Sequence, residues 1–175
     1  MRYLISDPHF GHANIIKYCN RPYKDVHHMN SMLTQNWNSV VTIDDTVICL
    51  GDFGFGNVSK YLERLNGHKI LVLGNHDKES QCRGHFEEIH TRLEIEINGQ
   101  KVLLSHYPYK DSVGDFDHKF LDRMPERNGD QWLFHGHVHN SKPMLGKRML
   151  NMSVEWHNYT PVSETRIIEI MNENQ

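Results

Sequence analysis

The sequence predicts one layered α/β domain with a mixed β-sheet. Three features point there: β-rich runs alternate with helical periodicities through the first half, a hairpin signature joins two alternating strands at mid-chain, and no repeat, low-complexity tract or Pro/Gly/Ser-rich linker divides the chain. A single domain commonly holds roughly 100 to 200 residues. Residues 1–175 are therefore read as one unit with no separate capping domain.

The run Arg2–Ser6 is the first strand. After Asp25, a candidate N-cap, Met29, Leu33, Trp37 and Val40 recur at spacings of three or four, which places them on one face of a helix. Thr46–Leu50 is the second strand, and residues from Val58 onward form a second helix ended by Gly67. Lys69–Leu73 follows, so the first three strands alternate with helices as β-α-β units. Asn98-Gly99 between the alternating runs Arg92–Ile97 and Lys101–Ser105 is a hairpin turn. Trp132–Gly136, Met149–Val154 and Thr165–Ile170 read as the remaining strands.

Composition excludes several classes. A net charge of −3 argues against a protein that coats duplex nucleic acid. The three cysteines, Cys19, Cys49 and Cys82, lack the CxxC spacing of cysteine-bound zinc, and their odd number fits free thiols in a reducing compartment. The segment after Met1 lacks a signal peptide's apolar stretch, and no apolar run approaches the ~18 residues of a membrane span, so a cytoplasmic location is expected. Fourteen histidines stand out, because imidazole binds borderline transition metals near neutral pH.

Those histidines have a pattern. Asp7 and His9 follow the first strand, Gly51 and Asp52 the second, and Gly74, Asn75, His76 and Asp77 the third; His106 follows Lys101–Ser105, and Gly136, His137 and His139 follow the strand at Trp132. Sites in open α/β sheets form outside the carboxyl ends of the strands, where these residues can converge. Asp7, His9, Asp52, Asn75, His106, His137 and His139 make seven donors, which suits two ions sharing a carboxylate. The mixture of imidazole, carboxylate and amide favours manganese, iron, zinc or nickel, with manganese placed first, over calcium. Two such ions roughly 3.5 to 4 Å apart can clamp a phosphoryl group and ionise a bridging water to an in-line hydroxide nucleophile.

The ordered series Asp-x-His, Gly-Asp, Gly-Asn-His-Asp, His and Gly-His-x-His resembles the calcineurin-like metallophosphoesterase superfamily, from residue 5 to about 139. The resemblance implies a sandwich of two mixed β-sheets flanked by helices, with the metals at one edge. It implies that Asp7, His9 and His139 hold one metal, that Asn75, His106 and His137 hold the other, and that Asp52 bridges them. By the same resemblance His76 contacts phosphate and assists the leaving group, with Asp77 as its orienting partner. The chain departs from many relatives at Phe55, where they carry an acidic or amide residue, and at Tyr107-Pro108, where they carry glycine-histidine.

His12, Asn14 and Arg21 are candidates for contact with substrate, with His157 a further one. His27, His28, His68, His85, His90 and His118 read as solvated surface, and His135 as packed. The expected activity is hydrolysis of a small or nucleotide-type phosphodiester at an open site. Aromatic Phe10, Tyr18 and Tyr23 beside Arg21, and Tyr107, Tyr109 and Phe116 beside Lys110, offer faces for a base, and no basic stripe exists for a polynucleotide. The alternatives are a nuclease, a phosphomonoesterase or protein phosphatase, and a binding scaffold that keeps the fold without catalysis. Retention of every expected ligand weighs against the scaffold.

Overall fold

A computed structural model of the protein describes residues 1–112 and 118–174. The first half runs β1 (Arg2–Ile5), α1 (Ala13–Tyr18), α2 (Val26–Val40), β2 (Thr46–Cys49), α3 (Ser59–Leu62), β3 (His68–Val72), α4 (Glu79–Cys82) and β4 (Glu88–His90). The second half adds β5 (Leu93–Ile97), β6 (Gln100–Leu104), β7 (Trp132–His135), β8 (Met144–Gly146), β9 (Met149–Asn151), β10 (Val162–Ser163) and α5 (Glu164–Glu173).

Two five-stranded sheets result, ordered β10-β1-β2-β3-β4 and β5-β6-β7-β9-β8. In the first, β1 to β4 are parallel and β10 joins β1 antiparallel. In the second, β6, β7 and β9 are parallel, with antiparallel β5 and β8 at the edges. Both sheets are therefore mixed, and they are flanked by helices, as the resemblance implies.

Side-chain alternation along the strands builds two cores. Leu4, Ile48 and Val72 face the second sheet, where Val102, Leu104, Trp132 and Phe134 meet them with Ile167 and Met171 of α5. The alternate residues Tyr3, Ile5, Val47, Cys49 and Leu71 face the other way, onto Ile15, Met29, Leu33, Trp37 and Leu62. Burial on both faces explains why these parallel strands read as continuous apolar runs. Helix α2 presents Met29, Leu33 and Trp37 as its spacing predicts, and the Asp25 carboxylate caps it by accepting the His28 N–H at 2.8 Å. Trp37 is 1% exposed, so truncation to Ala would cost about 3–5 kcal/mol.

The hairpin stands as predicted, with Asn98 and Gly99 at φ 50° and 73° between paired Ile97 and Gln100. The expected strand Thr165–Ile170 is instead part of α5. Its β-branched residues favour a strand, but Ser163 accepts the Arg166 N–H as an N-cap, and Ile167 and Met171, four apart, are the buried pair. Only Val162 and Ser163 extend the sheet, against β1. The helix expected from Val58 shortens to Ser59–Leu62 and closes in i→i+3 bonds at Arg64 and Leu65. No helix among the described residues is long and apolar enough to cross a membrane.

Candidate metal centre

The carboxyl ends of β1, β2, β3, β6 and β7 lie at one end of the sandwich, and backbone bonds tie them together. Asp7 N–H donates to Gly51 O at 3.0 Å, His9 N–H to Asp52 O at 3.1 Å and Gly136 N–H to His106 O at 3.0 Å. The turns are tight enough to require glycine. A Cβ on Gly51 would stand 2.6 Å from His106 Nδ1, and one on Gly136 would collide with Ser6 Oγ and Asp7 Oδ2. Five donor residues themselves turn back through the left-handed region: Asp7 at φ 57°, His9 at 54°, Asp52 at 52°, His137 at 71° and His139 at 45°. Each such residue costs on the order of 1–2 kcal/mol. So many together mark a place where geometry is held against local preference.

The result gathers all seven predicted donors. His9 Nε2 lies 3.8 Å from Asp7 Oδ1 and 3.7 Å from Asp52 Oδ2. His139 Nε2 lies 3.8 Å from Asp7 Oδ1, and His106 Nε2 is 3.6 Å from Asp52 Oδ2. Asn75 Oδ1 meets His106 Nε2 at 3.1 Å and His137 Nδ1 at 3.0 Å. Donor atoms of Asp7, His9 and His139 fall within 4.8 Å of one another, as do those of Asp7, Asp52 and His106. Asp52 thus stands between a His9 side and a His106 side.

The surroundings fit divalent ions. Asp7 Oδ1 and both ring nitrogens of His9 are buried without a hydrogen-bond partner, a costly state that a ligand would relieve. The other Asp7 oxygen accepts from Ser153 Oγ at 3.0 Å and His137 N–H at 3.1 Å, which aims Oδ1 into the cluster. The backbone carbonyl of Leu50 accepts Nδ1–H of His106 at 2.8 Å and leaves Nε2 as the donor toward Asp52. Burial, then the nearby Asp7 and Asp77 carboxylates, push Asp52 up to about 7. Burial opposes charge on His139, yet Asp7, Cys19 and Glu155 outweigh it and push the ring up to about 11. This end of the molecule attracts positive charge, and a metal cation would displace the proton.

The remaining candidates divide. His76 is exposed, and its backbone N–H donates to Asp52 Oδ1 at 2.8 Å; its ring lies 5.0 Å from Phe55 and 5.8 Å from His9. The Asp77 carboxylate bonds the backbone N–H groups of Asp52, Phe53 and Gly74, and no bond joins it to the His76 ring among the described residues. His12 stacks on Phe55 at 4.3 Å, and its Nδ1 has no hydrogen bond. Asn14 is exposed on α1. Arg21 is 4% exposed, and its guanidinium is taken up by Glu155 and two backbone carbonyls, so it does not offer the free phosphate fork that its sequence position had indicated. His157 Nε2–H donates to Asn151 O at 2.8 Å. Phe10, Tyr107 and Tyr109 are buried, Tyr23 packs on Tyr159, and Tyr18 is 72% exposed. Phe116 lies outside the described residues, as does the side chain of His118. Sequence reasoning missed Ser153 and Glu155, which lie beyond the last motif and carry no local signal.

A family model described as calcineurin-like phosphoesterase superfamily domain matches residues 4–152. The chain belongs to that superfamily. It is 38% identical to an uncharacterised protein of Methanocaldococcus jannaschii, with 99% of this chain and 92% of that one covered. It is 34% identical to the gene 66 protein of Mycobacterium phage L5, over 83% of this chain and 80% of the phage protein. Among solved structures, a protein of unknown function from Aquifex aeolicus is 33% identical, covers 97% of this chain and 98% of its own, and superposes with a TM-score of 0.78.

Proposed function

We propose that the protein is a metal-dependent hydrolase of small or nucleotide-type phosphodiesters, working in the cytoplasm. The observation that carries the reading is the convergence of seven donor residues at one end of the sandwich, among them the buried, unbonded Asp7 Oδ1 and His9 nitrogens. Asp7, His9 and His139 would hold one ion, Asn75, His106 and His137 a second, with Asp52 between them; manganese fits this mixed donor set, with iron, zinc and nickel as alternatives. Bound there, two ions supply the charge that stabilises a phosphoryl group in flight and the acidity that makes water a nucleophile.

The chain's own residues do the rest. The left-handed turns and the Asp77 carboxylate fix the donors in place before substrate arrives, so little reorganisation accompanies reaction. His76, exposed at the rim beside His9, delivers a proton to the departing ester oxygen. Phe55 and His12 form a flat wall next to His76, with exposed Tyr18 edge-on to His12 at 6.3 Å, and this wall supports an aryl or base-bearing substrate. A groove of about 510 Å³, lined in part by Asp77, Arg92, Tyr107 and Arg123, flanks the donors on the other side. Three buried free cysteines support a reducing compartment.

The test is a panel of aryl phosphomonoesters, aryl diesters, cyclic nucleotides and oligonucleotides, given to purified protein reconstituted with Mn²⁺. Diesters and cyclic nucleotides should turn over fastest. Oligonucleotide cleavage that dominates and falls steeply with salt would replace this reading with a nuclease, and an inert, metal-loaded protein would leave the scaffold.

A further inference from the structure

We infer that Arg21 and Glu155 form a positioning pair that sets His139 and the Asp7–His9 loop as one unit; the inference rests on the metal-centre reading above. Arg21 Nε and Nη2 donate to the same Glu155 oxygen at 2.9 and 2.7 Å. The same guanidinium reaches the chain on the other side: Nη2 donates to Asp7 O at 2.7 Å and Nη1 to Pro8 O at 2.8 Å. Both side chains are buried, at 0% and 5% exposure. One planar fork therefore spans a glutamate and the backbone of the first ligand motif, which a lysine's point charge cannot do.

Glu155 passes the constraint on. Its Oε1 lies 3.2 Å from His139 Nδ1. A carboxylate only accepts, so the ring proton sits on Nδ1 and Nε2 is left as the donor facing Asp7. Asp7 and His139 are thus both contacted from a single ion pair whose members are 134 residues apart in sequence, with His9 following Pro8 on the same loop. Glu155 lies outside residues 4–152, the stretch that matches the family model. The bonds of the pair run to the Asp7–Pro8 backbone and to His139, so its effect should fall on the ion assigned to Asp7, His9 and His139.

The experiment titrates Mn²⁺ into metal-free wild-type, Glu155→Gln and Arg21→Lys proteins by calorimetry, with circular dichroism to verify folding and a double variant to close the cycle. Wild type should take up two ions. Each single variant should stay folded and lose roughly tenfold to a hundredfold in affinity for one ion while keeping the other. The double variant should be little worse than the singles, since both residues act on the same ion's ligands as one linked pair. Two-ion binding at wild-type affinity by folded Glu155→Gln protein overturns the inference alone. So does loss of fold in both single variants before metal is added, because the pair would then be holding the chain together. Wild-type protein that takes up no Mn²⁺ overturns the metal-centre reading and this inference together.

Discussion

The carboxylate of Asp77 accepts the backbone N–H of Asp52 at 2.7 Å, although the two residues lie 25 positions apart, with α3 and β3 between them. It also accepts the N–H groups of Phe53 and Gly74, at 3.0 and 2.9 Å. One side chain thus locks the turn after β3 onto the turn after β2, which carries the central donor. Asp77→Asn sets an amide N–H against at least one of these donors. The variant should lose about 1–3 kcal/mol of stability in urea unfolding. Unchanged stability would show that these backbone bonds do not hold the two turns together.

His76→Gln addresses the proton. The His76 ring stands at the exposed rim, 5.8 Å from the His9 ring. The variant should keep its metal content by elemental analysis while turnover falls roughly 10²- to 10⁴-fold, the usual range for a general acid. Metal loss equal to that of a ligand variant would show that the ring binds an ion.

The candidate donors could be read in the sequence because chemistry restricts such groups to few residue types, and strand ends give them a regular address. Asp7, Asp52, Asn75, His106 and His137 could each be read from the apolar run before them. The left-handed backbone at Asp7, His9, Asp52, His137 and His139 could not, since nothing local announces a positive φ at these residues. The Arg21–Glu155 pair was hidden for a different reason: partners 134 residues apart share no pattern until the sheets assemble. Thr165–Ile170 misled because β-branched composition and helical spacing coexist there, and packing of Ile167 and Met171 decided for the helix.

His135 should govern part of the acid sensitivity. Burial pushes it down to about 4 despite its contact with the Gly136 carbonyl, while an unfolded histidine titrates near about 6.5. The folded pKa is the depressed one, so the contribution to stability is complete above about 6.5 and is shed as pH falls toward about 4. In metal-free protein, the His135 ring resonance should stay flat from pH 8 to 5 by NMR, with urea stability falling between pH 7 and 4.5. An inflection near 6.5 for that resonance would contradict the assignment.

Removing metal should destabilise the fold. Asp7 and Asp52 are buried beside His9 and His106, with His139 also near Asp7, and ions that bind only the folded chain stabilise it by mass action. At 100 to 1,000 times Kd the gain is about 3–4 kcal/mol, which for a chain of this size corresponds to roughly 5–15 °C in Tm. Calorimetry with and without excess chelator measures it. An unchanged transition, with metal loss verified, would mean that the donors do not share a site.

Phe55 decides whether the wall recognises substrate. Its ring stacks with His12 at 4.3 Å and His9 at 5.9 Å. Stacking of a base on an aromatic face contributes about 1–3 kcal/mol. Phe55→Leu keeps the site apolar and removes the ring, so KM for an aryl or nucleotide diester should rise roughly 5- to 100-fold with kcat within about twofold. A dialkyl phosphate has no face to stack and should be indifferent to the change. Tyr18→Ala, at an exposed position away from the donors, should reproduce the same pattern more weakly. Equal losses for aryl and alkyl substrates would instead make Phe55 a support for the rings of His9 and His12, because only direct contact with the substrate can distinguish one leaving group from the other.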